Sequence, residues 1–218
     1  MEKKDLLKDV IKHIDIKSYN STELVDAMRN MSFTSRDTAR AADILMMMCK
    51  EKECTNILTL AGSTSAAGCM QVYVDMVRNK MIDVVVATGA SIIDMDLFEA
   101  LGFKHYIGEK ENVIPDTTLR DLYIDRIYDT YIDEEELQAC DHTTFEIANM
   151  LEARPYSSRE FIYEIGKWLH EGNAVKKDSL IQTCYECGVP IFVPAFSDSS
   201  AGFGIGKHQW ERMQKGEK

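Results

Sequence analysis

Three short stretches of small and hydroxyl-bearing residues are the places in this sequence where chemistry could be housed. They are Ala61-Gly62-Ser63-Thr64-Ser65-Ala66-Ala67-Gly68, Thr88-Gly89-Ala90-Ser91 and Ala195-Phe196-Ser197-Asp198-Ser199-Ser200-Ala201-Gly202. Small side chains let backbone N–H groups approach a phosphate, and a following helix N-terminus favours negative charge. A nucleotide or dinucleotide is one reading of these loops. The other is that tight strand-to-helix turns need small residues anyway, and none of the stretches is a G-x-G-x-x-G or P-loop motif. Asp198 can accept from ribose hydroxyls, pair with a cation, or cap the helix that follows. Histidine exchanges protons near neutral pH, but His105 and His208 are accompanied by no Ser-His-Asp order and no H-E-x-x-H helix. Cys184 and Cys187 have C-x-x-C spacing without a second pair at zinc-finger spacing. They read as core cysteines one helical turn apart, and no metal site is expected.

Flanking elements must hold these loops. Residues 56–60, 82–87 and 190–194 are short apolar runs of the kind found in buried parallel strands. Helical stretches follow, one carrying Met70, Val74 and Met76, another Leu97, Phe98 and Leu101. The alternation of strand, small loop and helix predicts a doubly wound α/β sheet, with ligands outside the carboxyl ends of its strands. Residues 5–50 read as helical, with a Ser/Thr cap near Ser21 and a second helix opening at Thr34-Ser35. The second helix has an apolar stripe of Ala41, Ile44, Leu45 and Met48, and Met46, Met47 and Met48 read as core filler. Pro115-Asp116-Thr117 reads as a turn into a helix, and residues 124–131 as strand-like. Residues 135–153 and 157–171 read as amphipathic helices, and a further helix runs from Asp178-Ser179-Leu180 to Gly188. The expected organisation is an N-terminal helical segment, residues 1–50, followed by one α/β domain over residues 51–218.

Composition narrows the class. With 218 residues, 45% hydrophobic and 28% charged, the chain is long enough for a substantial core and is ordinary for a globular protein. The net charge of -11, with no basic run beyond pairs such as Lys3-Lys4 and Lys176-Lys177, argues against nucleic acid as a partner. An acidic balance suits a cationic ligand, or simply keeps the surface soluble. The six cysteines and the lack of an apolar stretch after Met1 lead to the expectation of a reducing, cytoplasmic compartment with free thiols. No run reaches about 18 apolar residues, so no membrane span is predicted.

Taken together, Leu58-Thr59-Leu60-Ala61-Gly62, Val74-Asp75-Met76-Val77-Arg78-Asn79, Ile82-Asp83-Val84-Val85-Val86-Ala87-Thr88-Gly89-Ala90, Ile124-Asp125-Arg126-Ile127-Tyr128-Asp129 and Val189-Pro190-Ile191-Phe192-Val193-Pro194-Ala195-Phe196-Ser197-Asp198-Ser199-Ser200-Ala201-Gly202 resemble the deoxyhypusine synthase family. The likeness is strongest to its archaeal and bacterial synthase-like branch, and covers that family's first two thirds. It implies a Rossmann-like, mostly parallel sheet that binds NAD, in tetramers with active sites at subunit interfaces. It implies hydride transfer from spermidine to NAD, cleavage of the resulting imine, and passage of the aminobutyl group through an active-site lysine to an amine or protein lysine. By position Gly62 and Ser63 match the first NAD loop, and Thr88, Gly89 and Ala90 the second. Asp198 and Ser200 match the cofactor-contacting motif after the third strand. Asp94 and Asp96 lie near the acidic second-loop position and are the candidate polyamine-binding residues, although that loop is one residue longer here.

Two departures qualify the expectation. Where the synthases carry an acidic residue after the Asp198 motif, this chain has Phe203 or its glycine neighbours. The family's catalytic lysine lies downstream of a segment like Gly206-Lys207-His208-Gln209-Trp210, whereas this chain stops at Lys218, and Lys207 does not match it. The catalytic residue is therefore unassigned. The implied activity is expected to be incomplete alone, with a second chain carrying the lysine. The alternative is a non-catalytic NAD-binding subunit that regulates or scaffolds. An open sheet edge and exposed apolar face are expected to drive oligomerisation or poor solubility.

Overall fold

A computed structural model describes residues 2–108, 113–199 and 201–217, and shows a mixed α/β chain with more helix than strand. The chain opens with α1 (Lys3–Leu6), runs extended, and forms a helical hairpin of α2 (Thr22–Met28) and α3 (Phe33–Lys50). β1 (Ile57–Leu60) leads through a wide turn at Ser65–Cys69 into α4 (Met70–Arg78). β2 (Val84–Ala87) leads through a wide-turned helix at Ala90–Leu97 into α5 (Phe98–Ala100). Then come β3 (His105–Ile107), α6 (Asp116–Asp121), β4 (Ile124–Ile127), β5 (Thr130–Asp133) and α7 (Glu134–Met150). α8 (Ser158–Trp168), α9 (Leu180–Cys187), β6 (Ile191–Phe192) and α10 (Ala201–Gln214) complete the order.

β1, β2 and β6 form a parallel sheet in that order, with Leu58 level with Val85 and Val85 level with Ile191. Strand side chains alternate between faces. Leu58, Leu60, Val85, Ala87 and Ile191 therefore share one face, and there they meet the main core of Met70, Val74, Leu97, Phe98, Ile165 and Leu180. Each fully buried Leu, Val or Ile among them contributes about 1.5–3 kcal/mol, which pins the register, because a one-residue slip would turn the whole set outward. On the opposite face Ile57 is 56% exposed and Phe192 39%. The expected two-sided burial is thus met on one face among the described residues, and β1 is an edge strand.

The segment read as strand-like at 124–131 is a β4–β5 hairpin. It reverses at Tyr128, whose φ is +55°. With β3 it makes a second, antiparallel sheet, ordered β3-β5-β4, over a small cluster of Leu6, Ile114, Leu119, Ile124 and Tyr131. The expectation of helix throughout 5–50 fails between α1 and α2. There the Ile11 N–H donates to the His105 carbonyl at 2.9 Å, and the Ile107 N–H donates to the Asp9 carbonyl at 2.7 Å. Pairing with β3 satisfies backbone groups that a helix would otherwise have satisfied.

Helix ends follow local chemistry. Ser157 and Glu160 form a reciprocal capping box at the start of α8. The Ser179 hydroxyl accepts from the Gln182 N–H at 3.0 Å, and Gly188 in the left-handed conformation ends α9, as the sequence predicts. The hairpin differs from expectation. Ala39 is the one fully buried residue of α2 and α3, and Met46 and Met47 lie at the surface.

Candidate functional site

The carboxyl ends of the three parallel strands open on a cleft of about 330 Å³, lined by residues 59–61, 86–89, 194, 195 and 198. That volume falls in the range of small-molecule sites, about 300–1,000 Å³. The place is where α/β sheets hold ligands, because the strands stop there and their loops diverge.

Each loop is fixed by its own sequence. In the first, Gly62 has φ +75° and Ser63 φ +60°. Two successive left-handed residues turn the chain sharply after β1; glycine takes this conformation freely, while serine is held in it at some cost. In the second, the Thr88 N–H donates to the Leu60 carbonyl at 3.1 Å, extending the sheet by one rung. The Thr88 hydroxyl oxygen then accepts from the Ser91 N–H at 3.3 Å, taking one of the unpaired donors of the next helix's first turn. In the third, the Ser199 hydroxyl donates to the Phe196 carbonyl at 2.9 Å, and the Asp198 N–H to the Ala195 carbonyl at 3.0 Å.

The loops also hold one another. Ser65 donates its hydroxyl to the Ser91 carbonyl at 3.3 Å, tying the first loop to the second. The third packs on the second so closely that a Cβ at Gly89 would come within 2.6 Å of the Ser199 Cβ.

Of the residues singled out in the sequence, Thr88, Gly89 and Asp198 line the cleft together. Gly62 and Ser63 follow directly on its lining residue Ala61, and Ala90 directly on Gly89. Ser200 lies outside the described residues. Asp94 and Asp96 do not line the cleft. Asp94 is half-buried. Asp96 is fully buried and committed elsewhere, its two carboxylate oxygens accepting from the Leu180 N–H at 2.8 Å and the Ile181 N–H at 2.7 Å. It caps α9 from a distance of 84 residues in sequence. Burial pushes its carboxyl up to about 7 against the opposing pull of those two N–H groups. Sequence reasoning placed Ala195 in the third loop without a role and did not single out Thr59 or Pro194; their places at the ends of strands β1 and β6 were the available signal.

The remaining candidates serve the scaffold. His105 is buried, with Nδ1 2.9 Å from Glu99. Glu99 also takes His13 Nε2 at 2.6 Å and the Lys176 ammonium. Because His13 Nδ1 accepts from the Met70 N–H at 3.2 Å, its proton is on Nε2 and is donated to Glu99. Burial alone would raise the Glu99 carboxyl; donors from His105 and His13 and the Lys176 charge outweigh it and hold the group well below the usual range. His208 contacts Asn149 at 2.7 Å, and Lys207 lies over the Phe145 ring at 4.7 Å, so both tie α10 to α7. Cys184 lies in the core, where burial pushes its thiol well up, but Cys187 is exposed. Among the described residues no group of three or more His, Cys, Asp or Glu side chains is placed to hold a metal ion. None of the described helices is long and apolar enough to cross a membrane.

A deoxyhypusine synthase family model matches residues 23–217 of this architecture. The chain belongs to the deoxyhypusine synthase family. It is 67% identical over 212 residues to a deoxyhypusine synthase-like protein of Caulobacter vibrioides, covering 97% of this chain and 57% of that one. A deoxyhypusine synthase-like protein of Coxiella burnetii is 60% identical over 207 residues, covering 95% of this chain and 58% of its own. A protein of Methanosarcina acetivorans named probable deoxyhypusine synthase 2 is 39% identical over 192 residues, covering 88% and 54%. The chain therefore spans a little over half the length of these relatives. A crystal structure from Entamoeba histolytica, designated a deoxyhypusine synthase, shares the fold at a TM-score of 0.61 and 20% identity, over 90% of this chain and 66% of that one.

Proposed function

We propose that this chain supplies the dinucleotide-binding part of a deoxyhypusine synthase-type transferase. The reaction would move an aminobutyl group from a spermidine-like polyamine to an amine or a protein lysine. The observation that carries the reading is the cleft at the carboxyl ends of β1, β2 and β6, into which the three small-residue loops bring Ala61, Thr88 with Gly89, and Asp198.

The residues present fit NAD. A Cβ added at Gly62 would meet nothing within 4 Å, so the first loop leaves room for a ligand beside its backbone. Thr88 and Asp198 are exposed at the cleft, a hydroxyl and a carboxylate of the kind that pair with phosphate and ribose hydroxyls. Asp198 would accept from a ribose diol; Gly62, Ser63, Gly89 and Ala90 would offer backbone donors to the pyrophosphate; Ser200 is assigned to the same motif by family likeness. Bound NAD supplies the hydride acceptor. In this reading the sheet is the inner layer of a Rossmann-like, doubly wound fold, and the protein works in the cytoplasm as a tetramer. A lysine from outside these residues completes the site. Asp94 and Asp96 are assigned to the polyamine by family likeness alone, and both oxygens of Asp96 accept from the start of α9.

A second reading rests on one observation: none of the described residues lining the cleft is a lysine. In that reading the chain is an NAD-binding subunit that regulates or scaffolds an active relative. Isothermal titration with NAD tests the first part. Asp198→Ala is expected to weaken binding at least tenfold with the fold intact by circular dichroism. Unchanged affinity, or no NAD binding by the parent chain, overturns the proposal. NADH formation on adding spermidine to the assembly isolated from its source separates the two readings; bound NAD without NADH formation selects the second.

A further inference from the structure

The Thr88 hydroxyl stands between a buried partner and the open cleft. Thr88 is exposed where it lines the cleft, whereas Ser91, three residues on, is 2% exposed. Thr88 Oγ1 lies 3.0 Å from Ser91 Oγ and accepts from the Ser91 N–H at 3.3 Å. The distance leaves open which hydroxyl donates to the other, but burial decides it. A hydroxyl has one proton to give and two lone pairs to receive. Among the described residues the Ser91 hydroxyl has Thr88 Oγ1 as its one partner. Were Thr88 the donor, the Ser91 proton would be buried without an acceptor, a costly state that folded proteins rarely keep. With Ser91 as the donor both protons are satisfied, because the exposed Thr88 gives its own to whatever fills the cleft. Thr88 Oγ1 then receives the Ser91 N–H and O–H, and its proton points away from both.

The surroundings hold this arrangement. The Ser65 hydroxyl donates to the Ser91 carbonyl at 3.3 Å, and Gly89 is pressed against Ser199. Ala87 and Ile92, on either side of the turn, are buried. A turn packed from both loops has little room to change rotamer. The third loop brings to the same cleft the Asp198 carboxylate, which accepts. The cleft thus presents a set donor on its second loop and an acceptor on its third. A ligand carrying both an anionic oxygen and a hydroxyl is favoured in the orientation that matches them.

We infer that Ser91 is a positioning residue: by donating to Thr88 Oγ1 it turns the Thr88 proton into the cleft and makes Thr88 a dedicated donor to an anionic ligand oxygen. The polarity stands on the geometry alone; that the oxygen belongs to a phosphate rests on the dinucleotide proposal. Isothermal titration with NAD tests it on Ser91→Ala, Thr88→Val and the double variant. Thr88→Val is expected to weaken binding about tenfold, the size of one hydrogen bond to a charged oxygen. Ser91→Ala should weaken it about three- to tenfold, and the double variant no more than Thr88→Val alone. Ser91→Ala binding like the parent overturns the inference. So does an equal further loss when Ser91→Ala is added to Thr88→Val, because a merely structural serine would act whether or not position 88 carries a hydroxyl. Should the variants fail to fold, neutron diffraction from deuterium-exchanged crystals of the parent decides. It decides equally if the parent binds no NAD, a result that would remove the dinucleotide proposal and leave this one standing on its own. A deuteron on Ser91 Oγ directed at Thr88 supports the inference; one on Thr88 Oγ1 directed at Ser91 overturns it.

Discussion

A Cβ at position 89 would stand 2.6 Å from the Cβ of Ser199, closer than two such carbons ever pack. Gly89→Ala is therefore expected to lower stability by about 1–3 kcal/mol through overpacking between the second and third loops. Ser199→Gly in the same chain should recover part of that loss; strictly additive losses in urea denaturation would show that the two positions do not press on each other. Asp96 makes a different prediction. Its folded carboxyl titrates at about 7, above the ordinary value of about 3.9. Between these values the folded state holds a proton that the unfolded chain has released, so this contribution declines as pH rises from about 4 to 7, by an amount on the order of a few kcal/mol. Asp96→Asn should flatten that slope; a variant whose stability–pH profile matches the parent's would assign the slope to another group. The role of Asp96 was illegible in the sequence because its partners, the Leu180 and Ile181 N–H groups, are distant along the chain. Thr88 and Gly89 were legible because small residues directly after an apolar run can be recognised locally, and Asp198 because it stands within the third small-residue stretch.

Between elements, the packing of α10 on α7 sets opposite expectations for two glycines one half-turn apart. A Cβ at Gly204 would fall 2.3 Å from the Asp141 carbonyl oxygen of α7, a backbone atom that cannot swing aside; a Cβ at Gly206 would meet nothing within 4 Å. Gly204→Ala should destabilise by about 1–3 kcal/mol by pushing the helices apart. Gly206→Ala should stabilise by about 0.5–1 kcal/mol, since alanine restricts the unfolded chain and favours helix. Thermal melts of the two variants shifting in the same direction would contradict this packing. At this scale the sequence was most readable where one residue marks a boundary, as Ser179 and Gly188 do for α9. It misled at residues 7–15, which read as helix. There, pairing with β3, nearly a hundred residues away, decides the backbone. It misled again at Met46 and Met47, since periodicity shows that a helix has an apolar stripe without showing whether this chain covers it.

Across the whole molecule, Glu99 gathers His13 from the N-terminal arm, His105 from β3 and Lys176 from the loop before α9. A carboxyl held below its ordinary range contributes stability that is complete above about pH 4.3 and is lost as pH falls below it. Glu99→Gln removes the carboxylate that accepts from His13 and His105 and balances the Lys176 charge, and is expected to cost about 1.5–3 kcal/mol in urea denaturation near neutral pH. A loss below about 1 kcal/mol, as for an exposed pair, would remove Glu99 from this role. Nothing in the order of residues announces the cluster, because its members become neighbours only when both sheets are in place. The same junction has a kinetic reading. The Ile11 N–H is bonded to the His105 carbonyl and the Ile14 N–H to Gly68, while those of Val175 and Lys176 are bonded to Ala100. These amides sit on either side of Glu99, so opening either the arm or the loop breaks a contact of the same buried carboxylate. They are expected to open as one cooperative unit, with solvent-exchange rates that rise in step when Glu99 is replaced; a rise confined to the arm or to the loop would separate them.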